Sequence, residues 1–159
     1  MPNSPISSLN RPKIDFLAVL GILGAFIFFL GFALLLPVGI DLIYAEDTWH
    51  SFLISAAIAF IAGGTLWWLF KPTEEIRIRE GFMVVALTWI TLSLVGALPF
   101  IISGILPSYT DAVFETMSGL TTTGSTIMGG ITSTGFQNPN IESLPHSFLF
   151  WRSLAQWLG

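Results

Sequence analysis

Thr121-Thr122-Thr123-Gly124-Ser125-Thr126, entered from the run Asp111-Ala112-Val113-Phe114-Glu115-Thr116-Met117-Ser118-Gly119-Leu120, decides how this chain is to be read. Small hydroxyl residues around a single glycine favour neither a stable helix nor a packed strand. Yet they sit in a chain of 159 residues that is 53% hydrophobic and 10% charged, with a mean hydropathy of +0.76. Soluble domains carry roughly 25% charge. Irregular polar backbone is tolerated at membrane depth only where it is buried in protein or lines an aqueous path. The six residues 121–126 are therefore read as part of an ion filter.

The residues in front of the filter read as a half-length helix. Ser108 followed three residues later by Asp111 fits a capping box, and an acid in the first turn suits the helix dipole. Asp111 to Leu120 would make about 15 Å of helix, roughly half of a hydrocarbon core of about 30 Å, so it can dip in but not cross. Entered from outside, such a helix turns its C-terminus, with about half a negative charge and unpaired carbonyls, towards the membrane interior. A cation is stabilised there, and backbone leaving the helix can offer further carbonyl oxygens in place of its water. Gly124 permits backbone angles closed to other residues.

Upstream, Phe16 to Ile40 has 25 residues without a charge, and Ser51 to Phe70 has 20. Each is long enough to span a bilayer, and the first is too long for a signal-peptide core of roughly 7–15 residues. Gly21, Gly24 and Gly31 offer close helix contact in the first span, and Pro37 is expected to kink or end it. Trp67 and Trp68 suit the headgroup level. Gly81 to Ile105 forms a third span, in which Thr88, Thr91 and Ser93 bond back to helix carbonyls and which Pro107 stops. Of six basic residues, Arg11, Lys13, Lys71, Arg77 and Arg79 flank the membrane on two segments, which places the N-terminus in the cytoplasm and the acidic segment Asp41 to His50 outside.

Downstream, Ile127 to Pro145 is rich in Gly, Asn and Pro and reads as irregular chain returning to the outer surface. His146 to Gly159 starts a fourth, inward span that looks cut short. The fold class is thus all-α integral membrane. A cytoplasmic tail (1–13), a two-helix membrane hairpin (14–70) and a cytoplasmic loop (71–80) precede one pore unit (81–159). That unit comprises an outer helix (81–106), pore helix (108–120), filter (121–126), external return (127–145) and truncated inner helix (146–159).

Composition also excludes. Without cysteine there is no disulfide or thiolate metal site, and six scattered basic residues exclude a nucleic-acid surface. His50 and His146 are far apart, and His146 has no nearby carboxylate at metal-ligand spacing. A phosphate cradle is absent, since no Gly-x4-Gly-Lys-Ser/Thr occurs. An intramembrane enzyme would need converging acid, base or nucleophile, and the apolar stretches offer Glu115, Arg152 and hydroxyls. Both charges need partners at membrane depth. Arg152 is expected to bond to the pore loop, with Glu115 as candidate partner and Asp111 and Glu115 as structural supports of the pore helix.

Phe114-Glu115-Thr116-Met117-Ser118-Gly119-Leu120 running into Thr121 to Thr126 resembles the first pore loop of the Trk/Ktr/HKT potassium transporters, on their bacterial TrkH-like branch. The likeness extends to Arg79-Glu80-Gly81-Phe82, to Gly96-Ala97-Leu98-Pro99-Phe100, to Leu144-Pro145-His146 and to Phe150 through Gly159. The resemblance implies four linked helix-loop-helix units around one potassium pore, with two leading helices in TrkH-like members. It implies potassium bound by carbonyls of Thr122, Thr123 and Gly124, flanked by Thr121 and Ser125, with potassium as substrate and no cofactor. It also implies a bacterial inner-membrane location among lipid, a homodimer and a cytosolic nucleotide-binding gating subunit. Only one filter strand is present. Ser133-Thr134-Gly135 is the nearest second candidate and lacks a preceding half-helix, so three further pore units are expected. The rival readings are four copies each supplying one filter to a homotetrameric channel, and a structural subunit that transports nothing.

Overall fold

The computed structural model describes residues 15–71, 78–131, 135 and 137–159. The tail with Arg11 and Lys13, the loop residue Arg77 and the Ser133-Thr134 pair lie outside them. Helix α1, Phe16–Tyr44, and helix α2, Trp49–Leu69, form an antiparallel hairpin. Asp15 caps α1 by accepting from the Leu17 and Ala18 amides, and its own N–H donates to Glu80 Oε1 at 2.9 Å. That bond joins the start of α1 to the start of helix α3, Ile78–Gly96.

The glycines set the hairpin's spacing. A Cβ on Gly24 would meet the Gly63 carbonyl at 2.8 Å, one on Gly63 would meet the Gly24 carbonyl at 2.7 Å, and one on Gly21 would run into the Phe70 backbone. Gly31 receives the Phe60 ring. Backbones approach this closely only without side chains, the usual means of helix association in lipid, where apolar burial drives little. Around the contact Phe28, Phe32 and Phe60 pack edge to face at centroid distances of 4.9–5.7 Å.

Two helix ends expected at prolines fall elsewhere. Pro37 lies buried within α1, which continues for seven more residues before Ala45 ends it at φ 54°. In membrane helices neighbouring elements and local adjustments re-satisfy the backbone that a proline frees. The third span stops before Pro107: α3 gives way at Ala97 to a short helix α4, Leu98–Ile102, with Pro99 in its first turn, and Gly104 at φ +75° turns the chain back. Thr88, Thr91 and Ser93 bond to the carbonyls of Val84, Leu87 and Trp89 at 2.7–2.8 Å.

The half-helix α5, Tyr109–Leu120, and the final helix α6, His146–Leu158, pack on α3 and on α1, respectively, and on each other. Trp151, Phe52, Phe100 and Phe148 are fully buried between these elements, with Phe148 4.7 Å from the Phe52 ring and 5.1 Å from Phe100. Elsewhere large apolar side chains face outward, Phe29, Ile61, Trp68 and Phe82 each being at least 60% exposed. Three helical stretches, Phe16–Tyr44, Trp49–Leu69 and Ile78–Ile102, are long and apolar enough to cross a bilayer. The described residues form an all-helical, multi-pass membrane fold.

Candidate functional site

The site begins with the end of α5. Ser108 accepts from the Asp111 amide at 3.4 Å, so the helix is capped, but the return bond of a capping box is not made and buried Asp111 Oδ2 has no partner among the described residues. At the other end the chain folds back on the helix. The amides of Thr121, Thr122 and Thr123 donate to the carbonyls of Met117, Gly119 and Ser118 at 2.8–3.0 Å, and the Gly124 amide reaches Ser118 O at 3.3 Å. Three of the helix-end carbonyls expected to be unpaired, those of Met117, Ser118 and Gly119, are therefore taken by the N–H groups of residues 121–124.

Consequently the carbonyls of Thr121, Thr122, Thr123 and Gly124 accept no hydrogen bond among the described residues, and all six residues 121–126 are exposed on this chain. Thr122 at φ 54° and Gly124 at φ +74° alternate with ordinary backbone. A left-handed β-branched residue is strained by roughly 1–3 kcal/mol, and such strain collects at functional sites. The Thr122 and Thr123 amides pointing back at α5 hold the conformation. Ser125 departs from expectation: its carbonyl accepts from Ser118 Oγ at 2.6 Å and so is turned towards the pore helix. Ser118 thus holds three consecutive filter residues, two by its carbonyl and one by its hydroxyl, a role that sequence reasoning missed.

Glu115 and Arg152 meet. Arg152 Nε donates to Glu115 Oε1 at 2.6 Å, with the Glu115 side chain 1% exposed and Arg152 18%. The same carboxylate accepts from Thr126 Oγ1 at 3.1 Å and from the Ile127 amide at 3.0 Å. One buried carboxylate therefore joins α5, the end of the 121–126 run and α6. Asn138, 2% exposed, was also unanticipated: its Nδ2 donates to Ile127 O at 3.2 Å and its amide to Gly130 O at 2.9 Å, closing the return loop beside an isolated bridge of Ile131 with Gln137. Nothing in spacing marks a lone asparagine among several as the buried one.

The inner helix is seated by small residues. A Cβ on Gly96 would meet Thr116 Cγ2 at 2.8 Å and Trp151 at 3.1 Å, Trp151 Nε1 donates to Gly96 O at 3.2 Å, and a Cβ on Gly119 would meet Ala155 Cβ at 3.0 Å. Its N-terminus is capped from afar. Glu46 Oε1 accepts from the His146 amide at 2.9 Å and pairs with His146 Nδ1 at 2.7 Å, while Tyr44 stacks on the same ring. Burial pushes the Glu46 carboxyl up, but the N–H groups of His146 and Ser147 and the His146 ring outweigh it and hold it below the usual glutamate value. The partner lies 100 residues away, beyond any motif's reach.

The cation transport protein family TrkH matches residues 49–159. The Trk system potassium uptake protein TrkH of Salmonella typhimurium is 38% identical over 149 residues, and an uncharacterized cation transporter of Methanocaldococcus jannaschii is 38% identical over 147. In each case the match takes in 92% of this chain and 29% of the relative. The crystal structure of the potassium transporter TrkH from Vibrio parahaemolyticus superposes with a TM-score of 0.79 at 30% identity, over 91% of this chain and 29% of that one. The chain spans about three tenths of the length of these relatives, which are named as transport proteins. On the strength of a match covering more than half of its residues, the chain belongs to the TrkH family of cation transport proteins.

Proposed function

We propose that this chain supplies the leading helix pair and one quarter of the selectivity filter of a potassium uptake protein of the bacterial inner membrane, with its N-terminus in the cytoplasm. The observation that carries the reading is the run of four undonated carbonyls, Thr121 to Gly124, whose N–H groups are all returned to α5. A filter works by replacing an ion's water with such oxygens. Potassium sits against Thr122, Thr123 and Gly124, with Thr121 flanking, while Ser125 serves as an anchor. Asp111, Glu115 and Arg152 support the half-helix and do not touch the ion.

Three more filter strands are required, and relatives more than three times as long as this chain favour supplying them within one polypeptide over a homotetramer. A dimer and a cytosolic nucleotide-binding gating subunit follow from the family resemblance. The test is potassium uptake by the full-length protein in a potassium-deficient strain. Gly124→Ser is expected to keep the protein folded while admitting sodium; unchanged selectivity would refute the filter assignment.

A further inference from the structure

Where α1 hands over to α2, away from the filter, lies a buried polar cluster. Asp41 is 0% exposed; its Oδ1 accepts from Thr48 Oγ1 at 2.9 Å, and that hydroxyl lies 3.0 Å from Ser147 Oγ at the start of α6. The other oxygen, Oδ2, is buried and has no hydrogen-bond partner among the described residues. Glu46 adjoins the same cluster: its N–H donates to the Asp41 carbonyl at 3.0 Å, and its carboxylate reaches the Ser147 that Thr48 ties to Asp41. Glu46 Oε1 is committed to His146, whereas Oε2 receives one long contact, 3.4 Å from the Ser147 amide. Two carboxylates on one buried cluster disfavour each other's charged form.

The donor inventory favours a proton over a metal ion. Thr48 Oγ1 and Glu46 Oε1 are already engaged, which leaves about one free oxygen on each acid, while a hard cation takes roughly six. One missing donor is what the geometry lacks. We propose that Asp41 and Glu46 share a single proton, carried on Asp41 Oδ2 and donated to the Glu46 carboxylate, and that this proton site latches the α1–α2 turn onto the N-terminus of α6. Twenty-nine residues of α1 reach about 43 Å, beyond a core of about 30 Å, so its Asp41 end stands near the interface. Glu46, with 20% of its side chain exposed, gives the proton a way to water. The groups facing the pair are His146 from α6, with Tyr44 of α1 stacked on its ring, and Asp47 and His50, both exposed, flank the turn. Losing the proton would set two negative charges side by side and loosen the Glu46 cap on the helix that carries Arg152.

The inference is independent of the filter reading, and its test uses no transport assay. Infrared titration of the full-length protein in detergent is compared between wild type and Asp41→Asn, whose amide keeps a donor at the Oδ2 position but cannot titrate. A protonated-carboxyl C=O band is expected in wild type at neutral pH and not in Asp41→Asn. A proton bound in the folded state and released on unfolding makes stability fall as pH rises. The wild-type melting temperature should therefore drop across the band's titration while that of Asp41→Asn stays level. Glu46→Gln, which removes the accepting anion, should move the band's loss to lower pH, and it decides the matter if Asp41→Asn does not fold. Identical bands in wild type and Asp41→Asn, no movement in Glu46→Gln, or a band abolished by sodium or calcium at fixed pH would each overturn the proposal.

Discussion

Replacing Arg152 with methionine removes the only cation on the buried Glu115 carboxylate among the described residues, and the consequence can be followed through the contacts. Glu115 keeps the Thr126 hydroxyl and the Ile127 amide, but a charge whose side chain is 1% exposed is left uncompensated. Breaking a buried pair from one side costs about 3–5 kcal/mol, which is roughly a hundredfold or more in the population holding the loop in place. Glu115→Gln differs, because its amide oxygen still accepts from Ile127 and Arg152, 18% exposed, can reach water. The double variant Glu115→Gln/Arg152→Met should therefore be more stable than Arg152→Met alone. A full charge swap should not rescue, since an arginine at 115 would bring donors to face the Ile127 N–H. Hydrogen exchange of the peptide spanning 121–131 in the full-length protein reads the local opening, and potassium uptake reads the consequence. Additive effects in the double variant, within about 0.5 kcal/mol, would refute the view that this pair holds the filter exit.

Ser118→Ala leaves the backbone acceptor for Thr123 and Gly124 but frees the Ser125 carbonyl, so potassium over sodium selectivity should fall while melting shifts little; unaltered permeability ratios would show the hydroxyl to be idle. Gly124→Ala has room, the nearest atom being Gln156 Nε2 at 3.8 Å, so its effect is backbone strain at φ +74°, about 1–2 kcal/mol, checked by uptake together with melting. Gly63→Leu drives a side chain into the α1 backbone and should separate the hairpin, seen as loss of folded protein in size-exclusion chromatography; normal recovery would deny the glycine contact. The Glu46 carboxyl is held below its ordinary value, so the stability it contributes is present above the ordinary glutamate pKa and is lost as pH falls through the folded one. Glu46→Gln should flatten that acid limb of a melting-temperature profile, and an unchanged limb would remove Glu46 from the cap.

Local chemistry made much of this legible. Long uncharged runs announce spans wherever they occur, and the hydroxyl-glycine run after a half-length amphipathic segment announces irregular backbone in a place that tolerates little of it. Glu115 and Arg152 could be paired because a charge at membrane depth needs a partner and few were on offer. What stayed hidden depends on distance along the chain. The cap on α6 comes from Glu46, and Asp41 meets Ser147 through Thr48, contacts that no periodicity encodes. Pro37 does not end its helix, because the rule against proline assumes an unsupported turn, whereas here the proline is buried among packed helices. The carbonyls at the helix end are expected to be unpaired because the dipole argument does not foresee loop amides folding back to take them.

On the proposed filter reading, that pairing bears on selectivity. If the coordinating oxygens belonged to the end of α5, an ion would meet a helix terminus whose geometry is fixed by helix hydrogen bonds alone. Instead the terminus is spent on holding the strand, and the strand's oxygens are the ones left over. Their positions then depend on Ser118, which holds Thr123, Gly124 and Ser125, and on the carboxylate of Glu115, which holds Thr126. Both pins sit on α5, but Glu115 is shared with Arg152 of α6, and Gly119 lets α6 lie directly on α5 through Ala155. A displacement of α6 therefore reaches the exit of the filter through one side chain and reaches its entrance only by moving the whole half-helix. The two ends of the filter are thus unequally coupled to the inner helix, and a change in α6 should alter the Thr126 end first.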